Sequence, residues 1–249
     1  MRPIGFSTGA LAYSDFRRGL AILDGTQTRV VELSALRENE LAPLIEGLDS
    51  LNVSRFTYIS VHAPSRYDPS HEREIIDRLS NVANRNWPIV LHPDAVHEFG
   101  AWDVFRDLVL VENMDKRNKT GRTAQELSVI FAKLPHAGLC FDLGHCKQVD
   151  PTMNEAYLIL RTFGDRLKQL HLSEVNSRST HDPLSGVSIG AFAKISHLIP
   201  DNVPVILESP VVDSDVEAEI ERARLALPSD ISANGSRTRE VRRFQNAAV

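Results

Sequence analysis

The chain has 249 residues, of which 42% are hydrophobic and 24% are charged, the composition of an ordinary soluble globular protein. Its formal net charge of −5 excludes a chain-wide basic surface for nucleic-acid phosphates. No apolar run approaches the roughly 20 residues that span a bilayer, and two cysteines are too few for a disulfide scaffold. We therefore expect a cytoplasmic location and no membrane partner.

Eight short apolar or β-branched runs follow one another along the chain. Continuous apolar character in a run this short is typical of a strand buried on both faces of a parallel sheet. The predicted strands are 4–8, 30–34, 58–62, 88–92, 108–112, 138–142, 167–171 and 203–208.

Helical patterns separate the predicted strands. Thr123 and Glu126 form a capping box ahead of apolar residues at one-face spacing. Asp150 followed by proline predicts another helix start, with Tyr157 on the buried face. Further predicted helices are 72–79, 192–199 and 216–227, and the connection near 95–99 has room for only one or two turns.

Strand and helix alternating eight times over about 225 residues predict an α/β fold, a single (β/α)8 TIM barrel. A doubly wound open sheet is the alternative, but no glycine-rich phosphate loop follows the first strand. We assign residues 1–227 to the barrel. Residues 228–249 are polar and basic, and we expect them to form a short disordered tail.

The last six predicted strands all end in side chains that bind metals. In a TIM barrel these ends converge at the mouth, the C-terminal end of the barrel where active sites lie. Burying six ionisable groups together is costly unless they are paired or metal-bound. A mixed imidazole and carboxylate set suits Zn²⁺, Mn²⁺ or Fe²⁺ better than Ca²⁺. The six residues are His62, His92, Glu112, Asp142, His171 and Glu208.

Further polar residues follow the strand ends. His145 lies three positions after Asp142 and offers a second imidazole beside the sixth strand. The long polar loop after the seventh strand is typical of a lid or a substrate-binding loop, and His181 within it is a candidate ligand. Glu32 on the second strand either points into the mouth or is a structural acid. The candidate substrate-binding residues are Glu32, Glu174, Asn176, Arg178 and Asp182.

The motifs around the strand ends resemble those of the xylose isomerase-like TIM-barrel superfamily over about residues 3–227. This group includes sugar isomerases and epimerases, dehydratases and the DNA-repair enzyme endonuclease IV. The motifs are Ser60-Val61-His62, Leu91-His92-Pro93, Val111-Glu112-Asn113, Phe141-Asp142-Leu143-Gly144-His145, Gln169-Leu170-His171-Leu172 and Leu207-Glu208-Ser209-Pro210.

The resemblance implies a cofactor of one to three divalent metal ions: zinc, manganese or iron. It matches Glu112, Asp142, His171 and Glu208 to the four-ligand site of the isomerases and epimerases. There Glu112 and Glu208 would move the substrate proton while His145 orients the substrate.

The similarity to endonuclease IV adds ligands for further ions. His62 and His92 with Glu112 resemble its additional metal site, and His145 and His181 resemble ligands of its third ion. Ser179 stands where a further carboxylate ligand of that ion is expected. The loop 63–67 after the third strand lacks the DNA-penetrating segment of the repair enzyme. Together with the acidic charge, this argues against duplex DNA as a substrate.

Three enzymatic hypotheses remain open. Isomerase or epimerase chemistry on a small sugar-like or sugar-phosphate substrate is slightly preferred. The second hypothesis is a multi-metal phosphoester hydrolase, and the third is a multinuclear iron oxidative enzyme. A non-catalytic binding barrel is disfavoured by the complete set of candidate ligands.

Overall fold

Eight parallel strands form a closed barrel in the computed structural model, which describes residues 2–229. The strands pair in the order β1-β10-β7-β6-β5-β4-β3-β2. The predicted TIM barrel is therefore confirmed, and most of the predicted tail lies outside the described residues. The barrel strands are β1 (Ile4–Ser7), β2 (Val30–Ser34), β3 (Tyr58–His62), β4 (Ile89–Leu91), β5 (Val109–Glu112), β6 (Gly138–Asp142), β7 (Leu167–Leu172) and β10 (Val205–Leu207).

Each barrel strand lies within two residues of its predicted bounds. The register places the strand ends at one level, since Asp142 pairs with His171 and Ser34 pairs with His62 across neighbouring strands. Two short strands after β7, β8 (Glu174–Val175) and β9 (His181–Asp182), form a separate antiparallel ribbon. The ligand-type side chains are thereby gathered at one end of the barrel.

Helices surround the barrel, and none among the described residues is long and apolar enough to cross a membrane. The α-helices are α1 (Thr8–Ala12), α2 (Phe16–Asp24), α3 (Glu38–Gly47), α4 (Glu72–Ala83), α5 (Phe99–Trp102), α6 (Ala124–Lys133), α7 (Leu143–Val149), α8 (Asn154–Phe163), α9 (Gly186–Ala193) and α10 (Val216–Ala226). Single 3₁₀ turns include Pro93–Ala95 and Ser196–Leu198.

Helix α9 lies earlier in the chain than the predicted helix 192–199, so that prediction was wrong. The Ser185 side chain accepts a hydrogen bond from the Ser188 backbone N–H at 3.3 Å and caps the helix. After Ala193 only the separate 3₁₀ turn follows.

The predicted start of α8 at residue 151 was also wrong. The Asp150 carboxylate accepts hydrogen bonds from the Thr152 and Glu155 backbone N–H groups, and Met153 has a left-handed φ of 65°. These contacts form a turn, and the helix begins at Asn154. Tyr157 is 46% exposed instead of lying on the buried face.

Two buried carboxylates fix the loops around the mouth. The Glu72 side chain accepts hydrogen bonds from the His97 N–H at 2.8 Å and the Trp102 Nε1–H at 2.9 Å, which fixes the loop after β4. Glu219 on α10 accepts a hydrogen bond from the Leu184 N–H at 2.8 Å and so fixes the loop after β9. The donated hydrogen bonds satisfy each buried carboxylate, and the carboxylate in turn fixes the groups that donate to it.

The Gly5→Ala substitution tests the close approach of β1 and β2. A Cβ at this position would lie 1.8 Å from the Val30 carbonyl oxygen, which belongs to the backbone and cannot move alone. We expect a loss of about 3 kcal/mol of unfolding free energy, measured by denaturant titration.

Gly100→Ala is the matched control, because no atom lies within 4 Å of an added Cβ there. It should leave stability unchanged to within about 0.5 kcal/mol. Equal stability of the two variants would contradict the described strand spacing.

Candidate metal centre

Donor atoms from the strand ends lie in two groups that share Glu112. The first group is His62, His92 and Glu112, from β3, β4 and β5. The second is Glu112, Asp142, His171 and Glu208. Within each group one donor atom per residue lies within 4.8 Å of every other. The structure thus brings together all six predicted strand-end residues.

The first group faces one oxygen of Glu112. The Oε2 atom lies 3.1 Å from His62 Nε2 and 3.2 Å from His92 Nε2. His62 Nδ1 lies 2.8 Å from the Ala63 carbonyl oxygen and donates a hydrogen to it. In the neutral ring, Nε2 then carries a lone pair that faces a carboxylate, so a cation must lie between them or a proton must be bound.

The second group faces the other oxygen of Glu112. Oε1 lies 3.3 Å from His171 Nδ1, and Glu208 Oε2 lies 3.5 Å from the same nitrogen. Asp142 Oδ1 accepts the His145 backbone N–H at 2.6 Å and so caps α7. The remaining Asp142 oxygen, Oδ2, and His171 Nδ1 are buried and have no hydrogen-bond partner. Unpaired buried donor atoms of these types fit a bound metal.

The interior beneath the mouth gathers four acidic side chains. Glu32, Glu112 and Asp142 are fully buried, Glu208 is nearly so, and no Lys or Arg of residues 2–229 forms a salt bridge with any of them. Burial raises the pKa of Glu208 to about 8, and repulsion from Glu112 and Asp142 adds to the rise despite the attraction of His171.

His62 responds to the same charge. Burial opposes its charged form, but the hydrogen bond that it donates to Glu112 and the charges of Glu32 and Glu112 outweigh burial and raise its pKa to about 9. Divalent cations would neutralise these acids more completely than protons on the imidazoles do. The donor set and its charge therefore fit Zn²⁺, Mn²⁺ or Fe²⁺.

His145 and His181 lie beside the second group but belong to neither, and residues 2–229 contain no third group of this kind. Their rings lie 5.4 Å apart, and His145 Nδ1 lies 3.0 Å from the Asn113 carbonyl oxygen. Burial opposes charge on His145, but Asp142 and Glu112 raise its pKa to about 10. Burial and the charge of His145 lower the pKa of His181 to about 4.

Glu32 lies behind His171, inside the barrel. Its side chain is fully buried, with Oε2 3.0 Å from His171 Nε2 and 2.7 Å from Gln169 Nε2. With His171 Nε2 donating to this carboxylate, Nδ1 keeps its lone pair toward Glu112 and Glu208. The arrangement is that of a carboxylate that orients a metal-binding histidine from behind.

A cavity of about 280 Å³ opens above the donor groups. Its floor is formed by His62, His92, Glu112, His145, His181 and Glu208. The rim, the outer part of the same cavity, comes from the loops after β2, β3, β4 and β5. It is formed by Leu36, Ser65, Arg66, Asp94, Met114, Asp115, Arg117 and Asn118.

The five residues predicted to bind substrate do not line this cavity. Glu174 accepts a hydrogen bond from Lys147 Nζ at 3.0 Å, and the Asn176 amide donates to Asp182 at 2.8 Å. Sequence reasoning missed the rim, although position along the chain offers a signal. Arg66 and Arg117 each follow a ligand-bearing strand end by four or five residues.

No protein-family model matches the chain, and no curated protein matches it. Solved structures do. Endonuclease IV from Thermus thermophilus matches with a TM-score of 0.62 and 16% identity, covering 91% of this chain and 99% of that chain. The 3-keto-D-glucoside 4-epimerase from E. coli matches with a TM-score of 0.57 and 14% identity, covering 91% and 98%.

A xylose isomerase domain protein from Alicyclobacillus acidocaldarius also matches, with a TM-score of 0.57 and 13% identity over 91% of this chain and 98% of that chain. At these identities the likeness concerns the course of the backbone. The chain therefore shares the TIM-barrel fold of these three proteins.

Proposed function

We propose that the protein is a metal-dependent enzyme that hydrolyses a phosphoester bond of a small molecule at a centre of two ions. The observation that carries the proposal is the division of Glu112, whose two oxygens face two different donor groups. A carboxylate shared between two neighbouring ions is suited to two-metal phosphoester chemistry.

The two donor groups have distinct members. His62, His92 and Glu112 would hold one ion, and Asp142, His171 and Glu208 would hold the other together with Glu112. When bound, the ions supply Lewis acidity, which neutralises charge on a phosphoryl group.

The chain contributes its own groups at the same floor. His145 lines the cavity with a raised pKa and can donate a hydrogen bond to a substrate oxygen. Glu208 also lines the cavity, and as a ligand of the second ion its carboxylate would be held in the ionised form. A cavity of about 280 Å³ is of the size that takes a small molecule.

Isomerase or epimerase chemistry is the second candidate, and the raised pKa of Glu208 favours it, because a proton shuttle needs such a group. Glu112, the second residue that would move the substrate proton in this chemistry, is poorly placed. Glu112 is 1% exposed and both its oxygens face imidazoles, so neither is free to reach a substrate carbon. The fold does not separate the candidates, since an epimerase and an endonuclease share it.

The iron oxidative enzyme remains the third hypothesis, because the same ligand types bind iron. Substrate binding by Glu174, Asn176, Arg178 and Asp182 stays a prediction for the loop after β7.

The number of ions tests the two-ion proposal. Protein purified without chelator should contain about two divalent ions per chain by elemental analysis, and His62→Ala should contain about one and lose most phosphodiesterase activity toward bis(p-nitrophenyl) phosphate. His197→Ala, at an exposed residue outside the cavity, is the matched control. One ion per wild-type chain would favour the isomerase, and mainly iron would favour the oxidative enzyme.

Glu32→Gln tests the residue behind His171. The amide keeps the size of the side chain but removes the negative charge that holds His171 Nε2–H. We expect the affinity for the second ion to fall about 10- to 100-fold in a chelator competition titration. Glu46→Gln, at an exposed acid on α3, should leave that affinity unchanged. If Glu32→Gln bound both ions as tightly as wild type, Glu32 would have no role in metal binding.

A further inference from the structure

Two arginines lie on the rim of the cavity whose floor holds the metal donors. Arg66 comes from the loop after β3, and Arg117 comes from the loop after β5. The floor is rich in carboxylates and suits cations, whereas these guanidinium groups suit anions. A single small cavity therefore presents two kinds of charge.

The backbone that carries Arg66 is fixed to the neighbouring loop. The Ser65 N–H donates to the Leu36 carbonyl oxygen at 3.1 Å, and Arg66 itself forms a parallel bridge with Arg37. The Arg66 guanidinium forms no salt bridge or hydrogen bond with any residue of 2–229. The backbone position of Arg66 is thus fixed, and the N–H donors of its guanidinium group are available to a ligand.

Arg117 is held by a buried acid. Its Nε donates to Asp115 Oδ2 at 2.9 Å, its Nη2 lies 2.7 Å from the same oxygen, and its backbone N–H donates to Oδ1 at 2.8 Å. Asp115 is 1% exposed. The pair occupies Nε and Nη2 and leaves the Nη1 hydrogens for another acceptor. Because the Arg117 side chain is already oriented, it loses less conformational entropy when a ligand binds.

The rim carries two acids, Asp94 and Asp115, beside its two arginines. Asp115 is already paired with Arg117, and Asp94 is exposed and forms no ion pair within residues 2–229. The formal charges on the rim are therefore balanced, and what distinguishes Arg66 and the Nη1 group of Arg117 is that their N–H donors have no acceptor within residues 2–229. Guanidinium forks bind phosphate and carboxylate groups through paired hydrogen bonds.

We propose that Arg66 and Arg117 form an anion subsite for a second acidic group of the substrate. The substrate class would be a small phosphoester with another phosphate or a carboxylate, one group at the metal centre and the other at the rim. This inference rests on the proposed function. The cavity of about 280 Å³ limits the spacer between the two groups to a few atoms.

Matched phosphonates test the subsite without being hydrolysed. Propylphosphonate carries one anionic group, propane-1,3-bisphosphonate carries two phosphonates, and 4-phosphonobutanoate replaces one of them with a carboxylate. Titration calorimetry on metal-loaded protein should show about tenfold tighter binding of at least one doubly anionic probe than of propylphosphonate. The probe with the larger gain identifies the second group.

Variants of the two arginines test whether the tighter binding of a doubly anionic probe depends on the rim. Arg66→Gln, and independently Arg117→Lys, should remove most of it while leaving propylphosphonate affinity within about twofold. Arg161→Gln on α8 removes the same charge from an exposed position outside the cavity and should retain the gain.

Absence of a gain in the wild type, or a gain that survives in both Arg66→Gln and Arg117→Lys, would overturn the subsite. Metal analysis of the same samples separates this outcome from failure of the proposed function. Normal metal content with propylphosphonate binding but no gain rejects the subsite alone. Protein without metal that does not bind propylphosphonate rejects the centre itself.

Discussion

The carboxylate of Glu112 is buried at the end of β5 with each oxygen about 3 Å from imidazole nitrogen. A fully desolvated acid is costly unless positive charge or hydrogen-bond donors surround it. Histidines at the ends of three other strands, His62, His92 and His171, meet this requirement, and the far ring nitrogens of His62 and His171 are in turn fixed by the Ala63 carbonyl oxygen and by Glu32. The need of the buried Glu112 carboxylate for hydrogen bonds and positive charge therefore determines which side chains surround it.

The barrel makes that arrangement possible because neighbouring parallel strands end at one level. The register that opposes Asp142 to His171 places their side chains in one layer without help from a loop. Loops complete the site, and buried acids of outer helices fix two of them: Glu72 after β4 and Glu219 after β9. Rigid strands therefore supply the candidate metal donors, and loops fixed by hydrogen bonds supply the wall around them.

The sequence was sufficient to predict the strands and the convergence of the ligand-type side chains at their ends. Strands that are buried on both faces appear in the sequence as short continuous apolar runs. The C-terminal end of such a run marks a position at the barrel mouth. The side of β2 that Glu32 faces could not be predicted, because both faces of such a strand are buried and alternation is lost. Arg66 was missed because the loop that reaches the cavity is set by contacts distant in sequence.

Hydrogen bonds between side chains and nearby backbone N–H groups explain why two helices begin at other residues than predicted. Ser185 and Asp150 each bind nearby backbone N–H groups, and such contacts decide a boundary that apolar spacing does not resolve.

Asp142 serves two structures with its two oxygens. Oδ1 caps α7 through the His145 N–H, and Oδ2 faces the second donor group. Under the proposed function, ion binding and the first turn of α7 would therefore be thermodynamically linked. An ion held at Oδ2 orients the cap, and a well-formed turn presents the ligand in advance. Such reciprocity would make the stability of the native barrel depend on free-metal concentration.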